Sequence, residues 1–435
     1  MKRRLLVAAG VAAALTGVAA CGSDSSDDKK DTKPAASAPN APAAGNGKTV
    51  RVWLMKGSAP DDYIAALKAK FETDHPGAKL DVQIQQWNGI GQKITGALAS
   101  NDAPDVIEAG NTQIAQYGAS GGLKDLSSKV TELGGKDWLT GLSDPGKVDG
   151  KTYGIPFYAA NRVVIYNKDL FAKASVQPPK TRAEWIETTK KLNSGDQQGI
   201  YLPGQNWYFY AGLLKDEGAD IATKSGSAWK ANLDGAPAVA ASAFYKELQS
   251  YGKAAKDGDE KTQPEVVAAD GGKIAQFIAV PGEAETIIKS NPALKDKFGF
   301  FPIPGKDASK AGAALTGGSD LMVPEASKNQ DLAYDVIKLI NSDEWQTKLA
   351  QATKQLPNKN TLGGAVTADP GGAAMMEGAK NGFATPNSPN WASVEENNPI
   401  KAYLTKVMTG RAAGRGGRQG SQHVDREDAE HQELT

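Results

Sequence analysis

From about Thr49 onward the chain alternates strand-like and helix-like segments, and this alternation constrains its fold more than any other feature. TVRVWLM, beginning at Thr49, is a run of β-branched and apolar residues that predicts a buried strand. Tyr63, Leu67 and Phe71 follow at helical spacing, and KLDVQIQQW then alternates with a period of two. A second helical segment from Ile90 and the strand-like PDVIEAG complete a βαβαβ order. This order predicts an α/β fold with a mostly parallel sheet covered by helices.

Composition excludes several classes of function. The 435 residues include 50 basic and 50 acidic side chains, so the basic surplus that nucleic-acid binding requires is missing. A single cysteine excludes a disulfide framework and every cysteine-based zinc or iron–sulfur site. Three histidines leave little for a histidine-ligated metal. We therefore expect no nucleic-acid partner, no metal and no cofactor, and a monomeric binding protein rather than an enzyme.

The N-terminal segment 1–21 has the pattern of an export signal. A basic start, KRR, precedes an apolar stretch that is too short and too rich in alanine for a comfortable membrane-spanning helix. LTGVAAC is similar to a bacterial lipobox, in which the cysteine is acylated and becomes the new N-terminus. This predicts lipid attachment at Cys21; a plain secretory signal with a chance cysteine is the alternative.

Two polar segments flank the part of the chain that carries helical and strand patterns. Residues 22–47 lack apolar bulk and predict a disordered tether. Residues 411–435 have no helical periodicity and predict a disordered tail. Acidic residues in the tail offset its arginines, which argues against an RNA-binding Gly/Arg segment.

Common catalytic motifs are missing from the sequence. It has no phosphate-binding G-x-x-x-x-G-K-[ST], no dinucleotide-binding G-x-G-x-x-G and no G-x-S-x-G nucleophile motif. A pair of carboxylates of the glycosidase type stays open, because 50 acidic residues offer many combinations. A carbohydrate-active enzyme is therefore the alternative from a different class.

Aromatic and amide residues follow the predicted strands, where open α/β sheets bind their ligands. The candidate ligand-binding residues are Trp87, Asn88, Asn111, Gln113, Tyr158, Asn161, Arg162, Gln205, Asn206, Trp207, Glu283, Gly318, Ser319 and Trp391. Sugars pack flat C–H faces on aromatic rings, while their hydroxyls need paired donors and acceptors. The pattern indicates an uncharged carbohydrate ligand. Trp53 in the first strand and Trp185 in a helix are expected in the core instead.

Several segments together resemble family 1 extracellular solute-binding proteins, which serve bacterial ABC sugar importers. Besides the lipobox and the tether, they are APDVIEAGN, GKTYGIPFYAANRVVIYNKDLF, QFIAVPGEAETI and TGGSDLMVP. The resemblance runs from about Lys48 to Gly410. SNDAPDVIEAGNTQ and YLPGQNWY look similar to the chitobiose-type binders of actinobacteria.

The resemblance implies a two-lobed, type II periplasmic-binding-protein-like fold with the sugar in the cleft between the lobes. Lobe one would comprise residues 48–155 plus 316–362, and lobe two residues 156–315 plus 363–410. Loops near 154–157, near 314–319 and after LPNKN would cross between them. The closed form would deliver an oligosaccharide or disaccharide, such as N,N'-diacetylchitobiose, to a permease at the outer face of the cell membrane. A binder of another small solute is the remaining alternative.

The sequence departs from this family in two places. Many relatives carry an aromatic residue in a Gly-Pro-Trp turn, where this chain has Pro281, Gly282 and Glu283. A carboxylate there would bond sugar hydroxyls or an N-acetyl N–H, so stacking is expected from Trp207 or Trp391. The segment after Gly410 also lacks the amphipathic helix that relatives have, which indicates a divergent or frameshifted terminus.

Overall fold

The computed structural model of the chain describes residues 47–410. The predicted signal peptide with Cys21, the predicted tether up to residue 46 and the predicted tail 411–435 lie outside the described residues. Within residues 47–410, no helix combines the length and the apolar character that crossing a membrane requires.

Strands in the described part of the chain form one six-stranded sheet, one three-stranded sheet and three two-stranded ribbons. In chain order they are β1 (Thr49–Met55), β2 (Lys79–Gln85), β3 (Val106–Gly110), β4 (Lys147–Val148), β5 (Lys151–Thr152), β6 (Ile155–Ala160), β7 (Val163–Asn167), β8 (Ala222–Ser225), β9 (Ala228–Ala231), β10 (Gln276–Ala279), β11 (Phe298–Phe301), β12 (Ala314–Leu315), β13 (Gly317–Met322), β14 (Leu356–Pro357) and β15 (Gly382–Phe383).

Helices lie between these strands and follow the last of them. They are α1 (Asp61–Asp74), α2 (Ile90–Leu98), α3 (Ile114–Ala119), α4 (Thr140–Ser143), α5 (Lys168–Lys173), α6 (Arg182–Leu192), α7 (Trp207–Asp216), α8 (Ala236–Gln249), α9 (Gln263–Ala269), α10 (Gly282–Ser290), α11 (Gln330–Asn341), α12 (Asp343–Thr353), α13 (Pro370–Ala379), α14 (Trp391–Asn397) and α15 (Pro399–Met408). Short 3-10 helices occur at Asn111–Gln113, Ser127–Lys129, Glu260–Thr262, Pro292–Leu294 and Asn360–Ala365.

The first five elements confirm the βαβαβ prediction. β1 pairs in parallel with β2 on one side and with β3 on the other. α1 buries Tyr63, Leu67 and Phe71, the three side chains whose helical spacing predicted it. Parallel neighbours need a crossover connection, and α1 and α2 supply the two crossovers here.

The larger sheet has the strand order β14-β6-β13-β3-β1-β2. β13 runs antiparallel to β3 and to β6, and β14 runs antiparallel to β6. β1, β2, β3 and β6 therefore point in one direction, and β13 and β14 in the other. Two of its five neighbouring strand pairs are parallel and three are antiparallel, so the sheet is mixed and not mostly parallel as expected from the sequence, because β13 inserts between β6 and β3.

The smaller sheet, with the order β10-β7-β11, differs from the expected parallel pairing. Its central strand β7 runs antiparallel to both neighbours. The chain enters β7 from β6 through only Asn161 and Arg162. The direction of β7 is thus set by the strand it continues and not by a crossover helix, which parallel pairing would require.

The chain passes between the two sheets at two places that lie side by side. It leaves the larger sheet after β6, and it returns to it at β13 after Thr316. Ala160 pairs with Gly317 and Ala159 with Gly318, so the two crossing segments are hydrogen-bonded neighbours. A Cβ at Gly318, whose φ is +151°, would lie 2.1 Å from the Tyr158 carbonyl oxygen. Glycine is therefore required where the two crossings touch.

Each sheet has its own aromatic core. Trp185, Trp207, Tyr210 and Tyr245 pack in the cluster that covers the smaller sheet. The Trp185 indole also donates to Gln276 Oε1 at 2.9 Å, which confirms its predicted core position. The buried Trp185 indole thus has both apolar neighbours and a hydrogen-bond acceptor.

Trp53 does not lie in the core, where the sequence predicted it. Its side chain is half-buried, and the indole donates to Gln83 Oε1 at 3.0 Å on the neighbouring strand β2. The Lys93 ammonium from α2 lies 4.8 Å from the ring centroid on the outer side. Because β2 is the edge strand of the sheet, packing beside Trp53 is incomplete.

Asp320 is a buried carboxyl group between the two crossings. It is fully buried in β13, and neither of its carboxyl oxygens has a hydrogen-bond partner among the described residues. Gly154 packs so closely that a Cβ there would lie 2.6 Å from Asp320 Oδ2. Burial raises the pKa of Asp320 well above its usual value, because an isolated buried charge is costly.

We expect Asp320→Asn to stabilise the protein at neutral pH. The unfolded chain ionises Asp320 above about pH 4, while the folded chain keeps it protonated, so folding binds a proton. Stability is therefore lost as pH rises, by up to about 1.4 kcal/mol for each pH unit between the two pKa values. Asparagine has nearly the same shape and does not ionise.

Urea unfolding at about pH 4 and about pH 7 checks this expectation. The variant should gain over the wild type at the higher pH and match it at the lower one. Asp257→Asn, at an exposed position, is the matched control. A variant that is less stable than the wild type at neutral pH would contradict the account.

Candidate ligand cleft

A cavity of about 780 Å³ lies between elements next to the larger sheet and helix α14, whose Trp391 packs in the core cluster of the smaller sheet. One wall comes from the end of β2, from α2 and from the segment after β3, and the other wall comes from α14. The lining residues that carry polar or aromatic groups are Trp87, Asn88, Gln92, Thr95, Gln113, Gln116, Tyr117, Ser393, Glu395 and Glu396. Three of the residues predicted from the sequence, Trp87, Asn88 and Gln113, thus lie together in this cavity.

Trp87 presents an accessible aromatic face in the cavity. Its side chain is 43% exposed, whereas Trp207 and Trp391 are 2% and 4% exposed. Trp87 lies two residues after the end of β2, and Gly89, with a φ of +74°, is the N-cap of α2. The turn at Gly89 therefore places the indole at the carboxyl end of the sheet, where ligands of open α/β sheets bind.

Gln113 contributes an amide whose oxygen is available for a partner. It ends the short 3-10 helix after β3, and its Oε1 is buried without a hydrogen-bond partner among the described residues. A buried acceptor of this kind costs free energy until a donor reaches it. The cavity beside it provides the space for such a donor.

A hydrogen bond joins the two walls of the cavity. Thr112 Oγ1, on the β3 side, donates to Glu395 Oε2, on α14, at 2.7 Å. Burial raises the pKa of Glu395, while the hydrogen bond from Thr112 lowers this pKa by a smaller amount. The sequence analysis missed both residues. Thr112 lies between the predicted Asn111 and Gln113, and Glu395 lies one helical turn after Trp391, which are the signals that could have found them.

A stacked column of side chains continues the α14 wall. The rings of Trp207 and Tyr208 lie 4.0 Å apart, and the Arg162 guanidinium lies 3.6 Å from the Tyr208 ring centroid. Arg162 Nε also donates to Glu260 Oε2 at 3.0 Å. Burial raises the pKa of Tyr208 to about 12, and Arg162 and Glu395 are among the charges that act on it. The column therefore adjoins Glu395.

Glu283 is the second residue of α10, which begins two residues after the end of β10 in the smaller sheet. Its Oε1 accepts a hydrogen bond from Gln263 Nε2 at 2.8 Å. Burial raises the pKa of Glu283 to about 7, and Glu260 and Arg162 lie close enough to act on it as well. This carboxyl group is thus near the Arg162–Glu260 pair.

Other predicted residues lie below the cavity at the crossing between the sheets. Asn111 is buried and donates to the carbonyl oxygens of Gly141 and Thr316 at 3.4 and 3.3 Å. Asn161 is also buried, and its Oδ1 has no partner within residues 47–410. Gly318 forms the close crossing contact described above. These residues hold the two crossings together in this structure.

Tyr158 and Ser319 belong to a buried polar network that the sequence analysis only partly found. Ser319 Oγ donates to the Tyr158 hydroxyl at 3.1 Å, and that hydroxyl lies 3.1 Å from Ser58 Oγ. Ser58 in turn donates to Glu108 Oε1 at 2.6 Å. Burial raises the pKa of Glu108 to about 7. This network links the segment after β1 with β3, β6 and β13.

Trp207 is the first residue of α7, and Gln205 and Asn206 lie in the turn that precedes this helix. Asn206 Oδ1 accepts from the Phe209 backbone N–H at 3.2 Å, so it caps α7, which begins at Trp207. Gln205 Nε2 donates to Thr405 Oγ1 at 2.9 Å on α15. Trp391 likewise begins a helix, and its ring centroid lies 6.3 Å from that of Trp207.

The cleft offers an aromatic face, amides and carboxyl groups, and these bind ligands by stacking and hydrogen bonding. Among the residues that the structure describes, no group of three His, Cys, Asp or Glu side chains is placed to hold a metal ion. Two sheet-bearing lobes with a polar cleft between them define a two-lobed binding protein.

The comparisons agree with this class. The model of the bacterial extracellular solute-binding protein family matches residues 56–347, and the chain belongs to this family. The diacetylchitobiose binding protein DasA of Streptomyces coelicolor is 43% identical over 418 residues, which are 95% of this chain and 95% of that protein. The galactooligosaccharide-binding protein of Bacillus subtilis is 26% identical and covers 92% of this chain and 91% of its own length.

Solved structures show the same fold at low sequence identity. The sugar-binding protein MalE from Xanthomonas citri matches with a TM-score of 0.73 and 23% identity, over 84% of this chain and 93% of that one. A cyclo/maltodextrin-binding protein complexed with maltotetraose matches with a TM-score of 0.72 and 18% identity, over 85% of this chain and 94% of its own. The two-lobed fold expected from the sequence is thereby confirmed.

Proposed function

We propose that the chain captures a neutral disaccharide or oligosaccharide in the cleft and delivers it, uncleaved, to the permease of an ABC importer. The observation that carries the proposal is the exposed face of Trp87 beside polar side chains in a cavity of about 780 Å³. Cavities of about 300–1,000 Å³ are typical of small-molecule sites. Membership of the solute-binding family and the diacetylchitobiose for which the Streptomyces coelicolor relative is named favour N,N'-diacetylchitobiose or a related sugar.

The proposed contacts divide between stacking and hydrogen bonding. The Trp87 indole packs on a C–H face of a sugar ring, and this apolar contact needs no charge on the ligand. Gln113 Oε1 receives a ligand hydroxyl or N–H, which satisfies its buried acceptor. Asn88 and Glu395 add polar contacts on the two walls. A ligand that leaves these groups unpaired is rejected.

The remaining predicted residues support this cleft in the same proposal. Asn111, Tyr158, Asn161, Gly318 and Ser319 form its floor at the crossing between the sheets. On the α14 side, Arg162, Gln205, Asn206, Trp207 and Trp391 form the back of the wall, with Glu283 at its edge. Buried Trp207 and Trp391 act on the ligand through the wall that they build.

Closure of two lobes around the ligand completes the proposed cycle. We assign residues 48–160 plus 316–362 to lobe one and residues 161–315 plus 363–410 to lobe two, which moves the first boundary expected from the sequence, residue 155, to the end of β6. The paired crossings at Asn161–Arg162 and at Thr316 support this division, because only short segments of chain there join the two sheets. The Thr112–Glu395 bond holds the two walls together in the closed form, which the permease recognises.

The proposal places the protein on the outer face of the cell membrane, anchored by a lipid at Cys21. The extracellular solute-binding family and the lipobox-like LTGVAAC segment support this location. Cys21 to residue 46 then act as anchor and tether, and the body works as a monomer.

We expect Trp87→Ala to weaken sugar binding. Loss of a large aromatic contact at a binding hot spot typically costs about 2 kcal/mol or more, which corresponds to a Kd roughly thirtyfold higher. Isothermal titration with N,N'-diacetylchitobiose measures the change. Trp229→Ala, in the β8–β9 ribbon outside the cavity lining, is the matched control and should bind as the wild type does.

The same samples separate binding from catalysis. Chromatography of the sugar recovered after titration should return it intact. Cleaved sugar would show instead that the chain is a carbohydrate-active enzyme. Equal affinity of the Trp87 variant and the wild type would show that Trp87 does not contribute to sugar binding.

We expect Cys21→Ser to abolish lipid anchoring. Without the thiol, no acyl chain attaches, and the variant should be shed into the medium or accumulate with its signal uncleaved. Membrane fractionation with mass spectrometry of the N-terminus measures both outcomes. A processed variant that stays membrane-bound would contradict the lipid anchor, because without the Cys21 thiol the chain carries no acyl group to hold it there.

A further inference from the structure

The lining of the ligand cavity carries negative charge and no positive charge. Glu395 and Glu396, both on α14, are its charged residues, and no lysine, arginine or histidine of the described chain lines it. Neither carboxyl group forms an ion pair with a basic side chain within residues 47–410. An uncompensated charge of one sign in a cleft attracts ligands of the opposite sign.

Glu395 is the carboxyl group that is held in place at the cavity wall. Its Oε2 accepts a hydrogen bond from Thr112 Oγ1 at 2.7 Å, across the cleft, and its Oε1 has no hydrogen-bond partner among the described residues. Burial raises the pKa of Glu395, because the ionised form has lost part of its solvation. A cation within hydrogen-bond reach of Oε1 would stabilise that ionised form.

The unused hydrogen-bonding groups of the two walls include acceptors on both sides. Gln113 Oε1 is buried without a partner among the residues that the structure describes, and Gln113 directly follows Thr112, the partner of Glu395. A sugar hydroxyl offers one donor and an acetamido group one N–H, whereas an ammonium group offers three donors and no acceptor. An ammonium group therefore suits this part of the cavity better than either neutral group.

The aromatic residues of the cavity indicate which kind of cation fits. Trp87 and Tyr117 line the same space as Glu395, and aromatic faces attract cations and also pack on the C–H faces of sugar rings. A metal ion is not favoured, because no group of three His, Cys, Asp or Glu side chains is placed to hold one in the described part of the chain. A sugar ring that carries an ammonium group uses both the aromatic and the acidic side chains.

We propose that the cleft also takes amino sugars whose nitrogen is not acetylated, and that Glu395 pairs with their ammonium group and determines the preference for them. The inference rests on the proposed function and extends its ligand class from neutral to cationic sugars. Glu396 is exposed and adds to the negative potential of the same wall.

Titration calorimetry with three disaccharides of similar shape tests the proposal. They are cellobiose, N,N'-diacetylchitobiose and the disaccharide that remains when both acetyl groups of diacetylchitobiose are removed. At about pH 6.5 an amino group of this kind keeps its proton. We expect the deacetylated sugar to bind at least about tenfold more tightly than cellobiose, because hydrogen bonds to charged groups are worth more than neutral ones.

Variants assign this preference to the charge of Glu395. Glu395→Gln keeps the length of the side chain and an acceptor oxygen for Thr112 but removes the charge. The ratio of the cellobiose Kd to the deacetylated-sugar Kd should therefore fall to less than about three. Glu247→Gln, at an exposed position on α8 outside the cavity lining, is the matched control and should keep the wild-type ratio.

Thr112→Val separates the charge from the bond across the cleft. It removes the hydrogen bond to Glu395 Oε2 and leaves the carboxyl group in place. If the bond only holds the walls together, its loss should change the Kd of all three sugars by a similar factor and leave their ratio as in the wild type.

The outcomes distinguish this inference from the function on which it rests. If the deacetylated sugar binds no more tightly than cellobiose, or if Glu395→Gln keeps the wild-type ratio, the inference is overturned while sugar capture stands. Binding of 1,4-diaminobutane as tight as that of the deacetylated sugar also overturns it, because a simple diamine has no sugar ring. If none of the three sugars binds, the proposed function fails and the inference fails with it.

Discussion

The pairing of β6 with β13 is the constraint on which the rest of the structure depends. These strands lie side by side in the larger sheet, and each continues directly into the smaller part of the molecule through a very short connection. Their contact requires Gly318, because any side chain there would collide with the Tyr158 carbonyl. Buried groups such as Asp320 and the Glu108 network lie around the same strands. The packing of both sheets offsets the free-energy cost of burying these polar groups.

This arrangement makes the cleft a boundary between two separately packed cores. Each core supplies one wall, so the side chains of the cavity are held rigidly within a wall and only weakly across it. Within the described residues, the Thr112–Glu395 bond is the side-chain hydrogen bond that joins the two cavity walls. The α14 wall also carries a carboxyl group, Glu395, that is paired with a neutral partner, Thr112, rather than with a cation. Such a group is free to meet hydrogen-bond donors on a ligand.

The sequence predicted what short-range periodicity determines. β1, α1, β2, α2 and β3 follow from local spacing, and Trp87 and Gln113 follow from the rule that ligands meet strand ends. Glu395 was missed because its position depends on a contact between distant parts of the chain, since Thr112 and Glu395 are 283 residues apart. The helix at Trp207 was missed because the capping role of Asn206 was not considered. The antiparallel smaller sheet depends on where the chain enters it, which periodicity does not encode.

A crystal structure of the protein with N,N'-diacetylchitobiose bound tests the central claim most directly, because it locates the ligand between the two walls. The account predicts a sugar ring against the Trp87 indole, a hydrogen bond to Gln113 Oε1 and contacts from α14 on the opposite side. The separate apolar cavity lined by Trp229, Leu233 and Trp391 should stay free of sugar. A sugar bound in that cavity, or bound without contact to Trp87, would contradict the account.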